Sequence, residues 1–234
     1  MGSIFRFKQF EVDQSGCAMK INTDGVLLAA MVKSHAPKRI LDIGTGTGVI
    51  ALMLAQRFAL AKVEAVEIDE QAATTAKKNF ELSVFADRLK AKHIAIEQYN
   101  LTAQFDLIVS NPPFFVNDLK NTEEKKGIAR HTDAIFFDEL IAKVAALLNE
   151  DGQFWFILPI KQAEQLVEKG KAHGLFEQQL IHLHSDQSKP AFRRIVSLGQ
   201  KKMELKPEHF YIYEAEKVYT KAYQTLLKDF FLGY

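Results

Sequence analysis

Arg39-Ile-Leu-Asp-Ile-Gly-Thr-Gly-Thr-Gly48 is the stretch on which the fold turns. Arg39 to Asp42 reads as a short apolar strand, and glycines at 44, 46 and 48 follow where a helix from Thr47 to Arg57 begins. Glycine at such a junction permits a tight turn and a close backbone approach to a ligand at the helix N-terminus. The spacing departs from the dinucleotide fingerprint, whose third glycine would stand at Val49, and no Lys-Ser/Thr pair makes it a Walker loop. Lys62-Val-Glu-Ala-Val-Glu-Ile68 is the next strand, with Glu67 at its tip, 19 residues beyond Gly48. A carboxylate at that separation can grip ribose hydroxyls, where the plainer reading is a solvated strand-end charge. Loop and carboxylate occurring together favour the ribose role. Asp69 is expected to cap a helix from Glu70 to Phe80.

The same rhythm continues on either side. Downstream come a weak strand, His93 to Ile96, a strand from Phe105 to Ser110, and a polar stretch from Asn117 to Asp133. A helix from Phe136 to Leu148, a strand from Gly152 to Leu158 and a helix from Lys161 to His173 follow. Gln179 to His184 and Arg194 to Gly199 are strand-like runs with no helix between them, which implies an antiparallel hairpin. The expected fold class is α/β: a doubly wound, mostly parallel sheet of seven strands with that hairpin at one edge. Upstream, Phe5 to Val12 alternates as one half-buried strand, Asn22-Thr-Asp-Gly25 marks a turn or helix start, and Val26 to Val32 is a short apolar helix. A helix from Ala215 to Leu232 closes the chain. One domain over residues 1–234 is expected, with 1–35 as an N-terminal appendage and 36–234 as the catalytic core.

Phe105-Asp-Leu-Ile-Val-Ser-Asn-Pro-Pro-Phe114 is the second informative stretch. Asp106 to Val109 suits a central strand covered on both faces. Asn111 precedes a proline and is biased toward extended geometry. Pro112 and Pro113 remove two backbone donors, so the turn offers carbonyl oxygens and few N–H groups. Asn111 and the Pro112 carbonyl can accept from both N–H bonds of a planar amino group such as that of adenine, while Phe114, with Phe115 beside it, stacks on the ring. A glutamine side-chain amide offers the same two N–H groups. Taken alone, a Pro-rich turn of no special use explains the stretch equally well.

Composition, 47% hydrophobic and 25% charged, is that of an ordinary globular protein. A net charge of +1 creates no global field, so a polyanion must be met by local patches. Two are present: Lys120, Lys125, Lys126, Arg130 and His131 just after the Asn-Pro-Pro loop, and Lys189, Arg193 and Arg194, with Lys201 and Lys202 beyond. Both can serve as a rim for a phosphate backbone or as plain solvated charge. Seven histidines lack metal-ligand spacing, His182 and His184 read as edge surface, and no metal is expected. The single cysteine, Cys17, excludes an internal disulfide, suits a reducing cytoplasm and reads as a small buried residue rather than a nucleophile. No apolar run approaches the ~18 residues of a membrane span, and no signal-peptide pattern opens the sequence. The expectation is a cytoplasmic monomer.

A cofactor with a ribose but no pyrophosphate, S-adenosylmethionine, fits the loop and Glu67 together. The strand, Asp42-x-Gly-x-Gly-x-Gly48, Glu67 and Asn111-Pro-Pro-Phe114 resemble the class I methyltransferases that act on planar amino or amide nitrogens. The resemblance implies that Asp42 and the loop (Gly44, Thr45, Gly46, Gly48) hold the amino acid end of the cofactor and Glu67 its ribose. Asn111 would border the cofactor and, with Pro112, Pro113 and Phe114, hold the nitrogen to be methylated. Many such enzymes place an Asp at the end of the third strand near the cofactor adenine; Ala95 aligns there, with backbone groups or Glu97 as substitutes.

The flanks narrow the family. Phe7-Lys-Gln-Phe-Glu-Val-Asp-Gln14 and Cys17-Ala-Met-Lys-Ile-Asn-Thr-Asp-Gly-Val-Leu-Leu28 resemble the opening of the bacterial tRNA1(Val) adenine-37 N6-methyltransferases. Asn111 to Phe114, Ala129-Arg-His131, Lys189-Pro190 and Arg194 continue the likeness over nearly the whole chain. It implies N6-methylation of an adenine beside a tRNA anticodon. Lys20, Thr23 and Asp24 would close over the cofactor or target base, a helix cap with a nearby lysine being the alternative. Phe115, Lys126, Arg130, His131 and Arg194 would lie on the substrate side. The nearest rival, protein glutamine N5-methylation, belongs to enzymes with Tyr at the position of Phe114 and a different N-terminal helical domain.

Overall fold

Short β-branched runs between helices make up the centre of the chain, and they assemble as such runs must to bury both faces. The structure is a computed structural model and describes residues 4–100, 104–113 and 123–233, with side chains from residue 135 onward in the last segment. The elements in order are β1 (Ile4–Arg6), β2 (Glu11–Asp13), α1 (Thr23–Met31), β3 (Arg39–Ile43), α2 (Val49–Arg57), β4 (Lys62–Glu67), α3 (Glu70–Glu81) and β5 (Leu89–His93). They continue as β6 (Phe105–Ser110), α4 (Glu123–Leu147), β7 (Leu148–Leu158), α5 (Ile160–Ala172), β8 (Phe176–His184), β9 (Ala191–Gly199), β10 (Glu208–Tyr211), β11 (Tyr213–Ala215), β12 (Val218–Tyr219) and α6 (Lys221–Leu227).

The main sheet runs β10-β8-β9-β7-β6-β3-β4-β5. β5, β4, β3, β6 and β7 are parallel, β9 is antiparallel to both β7 and β8, and β10 is parallel to β8. The alternation of side chains along each strand creates two cores. Ile40, Leu107, Val109, Trp155 and Ile157 face α1, α2 and the N-terminal hairpin, whereas Leu41, Ile43, Ile108, Phe154 and Phe156 face α4 and α5. After β5 the chain returns to the other flank of β3, so the ends of β3 and β6 form the topological switch point where α/β sheets bind ligands.

Several sequence expectations are corrected. The sheet has eight strands, because Glu208–Tyr211 adds to the outer side of β8 and the β8–β9 hairpin is not the sheet edge. The third core strand is Leu89–His93, not His93 to Ile96: Ile94, Ala95 and Ile96 leave the ladder and turn into a short 3₁₀ helix, Ile96–Gln98, which still buries Ala95 and Ile96. Phe5 to Val12 is two strands, broken by a turn in which the Phe7 amide donates to Phe10 O so that both rings stack inside the core. The C-terminal helix begins at Lys221, capped by Thr220 Oγ1; Tyr213, Val218 and Tyr219 favour strands, and Lys217 takes the turn at φ 60°. Helix α4 begins at Glu123 rather than Phe136, because a polar run free of proline is as compatible with helix as with loop.

Candidate active site

The ends of β3 and β6 are pinned together: Ser110 Oγ donates to Ile43 O at 2.9 Å, and Ile43 and Ser110 are in register. The glycine loop and Asn111 therefore start side by side. Within the loop, the Gly44 and Thr45 amides donate to Val66 O at 2.9 and 3.2 Å, and the Gly48 amide donates to Thr45 O at 2.8 Å. These bonds curl the chain so that glycines 44, 46 and 48 all have positive φ. A Cβ at Gly46 would meet nothing within 4 Å, which leaves open space above the loop, but one at Gly48 would lie 2.6 Å from Phe80 Cε1. The first faces a cradle and the last packs the loop against α3.

Glu67 is tied into this cradle. Its Oε2 accepts from the Gly46 amide at 2.9 Å and its Oε1 from the Asp69 amide at 3.0 Å, so the carboxylate is oriented while retaining lone pairs for hydroxyl donors. Asp69 caps α3 by accepting from the Ala72 amide at 2.7 Å. Asp42 lies beneath the loop, fully buried; Oδ2 accepts from Thr45 Oγ1 at 2.6 Å, while Oδ1 has no partner at hydrogen-bond geometry among the described residues, the Ala51 amide lying near enough only to draw on the carboxylate. Burial pushes its carboxyl up to about 7, against the pull of the Thr45 hydroxyl and the Ala51 backbone, with Glu67's charge adding to the rise. A buried carboxylate with one free oxygen under an open loop suits a cationic ligand group. Ala95 is drawn to the same place, since the Ile94 amide next to it donates to Glu67 O at 2.9 Å.

Asn111 leaves β6 half-buried, with its Oδ1 buried and without a partner among the described residues. An unpaired buried amide oxygen costs about 1–3 kcal/mol, which an arriving donor would relieve. Pro112 is buried and Pro113 exposed. Phe114 and Phe115 lie outside the described residues, as does Lys120. Lys125, Lys126, Arg130 and His131 sit on the first turns of α4, not in a loop, and their side chains are outside the described residues.

The other expected substrate residues are divided. Asp24, at the start of α1, accepts from Arg193 Nε at 2.7 Å; Lys20 is exposed on the segment leading there. Arg194, one residue on, points to the opposite face of the sheet, where Nη1 pairs with Glu164 of α5 at 2.9 Å and Nε is buried without a partner among the described residues. Lys189 pairs with Asp186 at 3.3 Å and Lys201 with Asp151. The second basic patch is thus largely neutralised by its own acids. His184 is buried, not edge surface: Nδ1 faces Lys189 O at 3.0 Å and Nε2 faces His209 Nδ1 at 2.9 Å across β8 and β10. Among the described residues no group of three or more His, Cys, Asp or Glu could hold a metal, and no helix is long and apolar enough to cross a membrane.

Sequence reasoning passed over Asn79. It is 2% exposed on α3 and bonds both the glycine loop and the N-terminal hairpin. Its signal was its place beside Phe80 on the buried stripe Ala72, Ala76, Phe80, where an amide needs a reason to be.

Comparison with known proteins gives the chain its family. Residues 17–173 match the Methyltransferase small domain family. The tRNA1(Val) (adenine(37)-N6)-methyltransferase of Pedobacter heparinus is 58% identical over 234 residues, covering 100% of both chains. The protein of the same name from Trichodesmium erythraeum is 42% identical, covering 100% of this chain and 99% of that one. Among solved structures, a predicted O-methyltransferase from Agrobacterium tumefaciens superposes with a TM-score of 0.69 at 19% identity, over 88% of this chain and 96% of that one, a likeness of fold. The chain belongs to the tRNA1(Val) (adenine(37)-N6)-methyltransferase family, built on the class I methyltransferase fold.

Proposed function

We propose that this chain methylates N6 of adenine 37 in tRNA1(Val), with S-adenosylmethionine as donor. The carrying observation is the pairing, at the carboxyl ends of two central strands, of an open, Glu67-tethered glycine loop with the buried Oδ1 of Asn111, which has no partner among the described residues. S-adenosylmethionine, when bound, supplies an electrophilic methyl group. The residues present fit it: Asp42, with one free oxygen, and the amides of the loop would take its amino acid end, and the remaining lone pairs of Glu67 its ribose hydroxyls. Ala95 would contribute only backbone and a small apolar surface near the adenine.

The chain's own chemistry is then at Asn111. Adenine N6 is a poor nucleophile because its lone pair is delocalised into the ring. Asn111 Oδ1 and the Pro112 carbonyl, accepting from its two N–H bonds, favour a more tetrahedral nitrogen and stabilise the positive charge that grows there. No strong base is required, since the proton is acidic once the new bond has formed. Phe114 and Phe115 are the stacking partners proposed for the unstacked base, and Pro113 stiffens the turn that carries them. Lys126, Arg130 and His131 on α4 are proposed to meet the phosphate backbone; Lys20 and Asp24, the latter held by Arg193, would border the base. Arg194 serves this rim indirectly, by anchoring the start of β9 to α5. We further propose that residues 1–234 work as one domain, as a monomer, in the cytoplasm where tRNA is processed.

The test is labelled S-adenosylmethionine with tRNA lacking its own modification, followed by nucleoside analysis. Label in N6-methyladenosine at position 37 is the expected result. Bound cofactor with no label in RNA would overturn the substrate assignment and point to an amide substrate.

A further inference from the structure

Asn79 grips two things at once. Its Nδ2 donates to Thr47 O in the glycine loop at 2.9 Å and to Asp13 O at 2.8 Å, and its Oδ1 accepts from the Asp13 amide at 2.9 Å. The bidentate contact with Asp13 copies a strand pairing, so α3 substitutes for a missing neighbour of β2. The bond to Thr47 fixes the peptide between Thr47 and Gly48, whose turn already rests on Ala76 and Phe80 of the same helix. All three side-chain bonds are buried or partly buried.

From Asp13 the chain runs as a strap, residues 13–22, along α3 to the start of α1. Thr75 Oγ1 donates to Ser15 O at 2.9 Å, the Ile21 amide donates to Gln14 Oε1 at 2.8 Å, and Cys17 is buried close enough to Glu67 and Asp69 to feel their charge. The strap carries Lys20 and delivers the chain to Asn22, whose Oδ1 caps α1 by accepting from the Gly25 amide. One helix face thus holds the cofactor loop below and the strap above.

We propose that Asn79 is a positioning residue that couples the strap, residues 13–22, to the glycine loop, so that S-adenosylmethionine binding and ordering of the strap are one linked event. This rests on the reading of the glycine loop as the cofactor cradle. Linkage is reciprocal: whatever loosens the strap weakens the cofactor, and the cofactor tightens the strap by the same factor. A buried asparagine that served only packing would affect folding and leave affinity alone.

The experiment is calorimetric titration of S-adenosylmethionine into wild type, Asn79→Ala and Thr75→Val, with hydrogen exchange of residues 13–22 followed with and without it. Thr75→Val removes two strap contacts, the bond to Ser15 O and the one to the Cys17 thiol, and leaves the hydrogen bonds of the glycine loop in place. The expected result is binding weakened about tenfold in Asn79→Ala, within the usual range of coupling between sites, and about threefold, somewhat below that range, in Thr75→Val. The cofactor should slow exchange in the strap of the wild type and not in Asn79→Ala. Wild-type affinity in Asn79→Ala, with only a lower melting temperature, would overturn the coupling. So would weakened binding in Asn79→Ala alone, with Thr75→Val unchanged, because Asn79 would then act on the loop by itself. If Asn79→Ala does not fold, Thr75→Val and the exchange of the wild type decide. No binding by the wild type would sink the cofactor reading and this one together; binding that both variants retain sinks only this one.

Discussion

Around the glycine loop, hydrogen bonds stay mostly within one βαβ unit and the helix after it: Thr45 to Asp42, Gly48 to Thr45 and Asp69 to Glu67 at short range, Gly46 to Glu67 and Asn79 to Thr47 across 21 and 32 positions. Around the residues proposed for the nucleic acid, the Asp24 to Arg193 contact spans 169 positions, and Arg194 to Glu164 ties β9 to α5. The proposed cofactor half is therefore largely a local motif, bound to the N-terminal hairpin through Asn79, and the proposed substrate half is an assembly that exists only once β9, α1 and α5 have packed. A local motif survives distant substitution. An assembly can be rewritten charge by charge without disturbing the fold, which is what a site that must recognise one RNA requires.

Separating the two halves should be possible with one residue. Asn111→Ala removes the amide acceptor and leaves the glycine loop, Glu67 and Asp42 untouched. Methylation is expected to fall by about 10²–10³-fold, the size found when one preorganised hydrogen-bonding group is taken from a transition state. S-adenosylmethionine affinity, read by calorimetry, should stay within a few-fold of wild type. Equal losses in both would mean that Asn111 belongs to the cofactor half, and the division would be misplaced.

Legibility in the sequence follows the same line. Asp42, the three glycines, Glu67 and Asn111 announce themselves because each motif is contiguous or lies at a fixed offset across one βαβ unit. β10 is invisible there, since Glu208–Tyr211 is four residues long and its apolar content reflects only its seat beside β8. The basic residues of the β8–β9 hairpin read as a rim because a sequence reports charge but not partner. Alternation along β9 sends Arg193 and Arg194 to opposite faces, and each finds an acid that no spacing rule links to it. Asn79 is hidden by the opposite ambiguity, an amide in a helix whose partners are backbone carbonyls on two other elements.

The cofactor half has a pH signature of its own. Asp42 ionises with difficulty because it is buried, so its carboxyl titrates at about 7 instead of near 3.8. With the folded-state value above the unfolded one, the cofactor-free protein holds an extra proton between those limits and loses stability as pH rises from about 4 to about 7. A cationic amino group arriving beside Asp42 favours the ionised form. Cofactor affinity is then expected to rise by up to about tenfold per pH unit below 7 and to level off above it, one proton being released on binding. Asp42→Asn should flatten that profile in calorimetry. A profile that Asp42→Asn leaves unchanged would place the titrating group elsewhere and detach Asp42 from the cofactor.

On the nucleic-acid half, Lys126→Ala combined with Arg130→Ala should weaken tRNA binding several-fold and reduce the slope of affinity against salt by about 2, roughly one for each phosphate no longer neutralised. S-adenosylmethionine binding should not move. An unchanged slope would make these residues plain surface and shift the RNA footprint toward the strap and β9.

The smallest effect expected is also the one that speaks most directly to how the substrate half is assembled. Asp24 and Arg193 expose only 14% and 22% of their side chains, so their pairing is better shielded than an ordinary surface bridge. Removing either charge leaves the other with poor access to water, whereas removing both leaves none stranded. A double-mutant cycle with Asp24→Asn and Arg193→Gln should therefore show a coupling of about 1 kcal/mol in stability, the double variant being less destabilised than the two single variants summed. If the pair serves only to fasten α1 to β9, the double variant should recover activity along with stability. If Asp24 also borders the target base, stability recovers and tRNA turnover does not. That outcome would assign the bridge to both fold and substrate, the overlap that the long-range construction of this half makes possible and the local construction of the cofactor half does not.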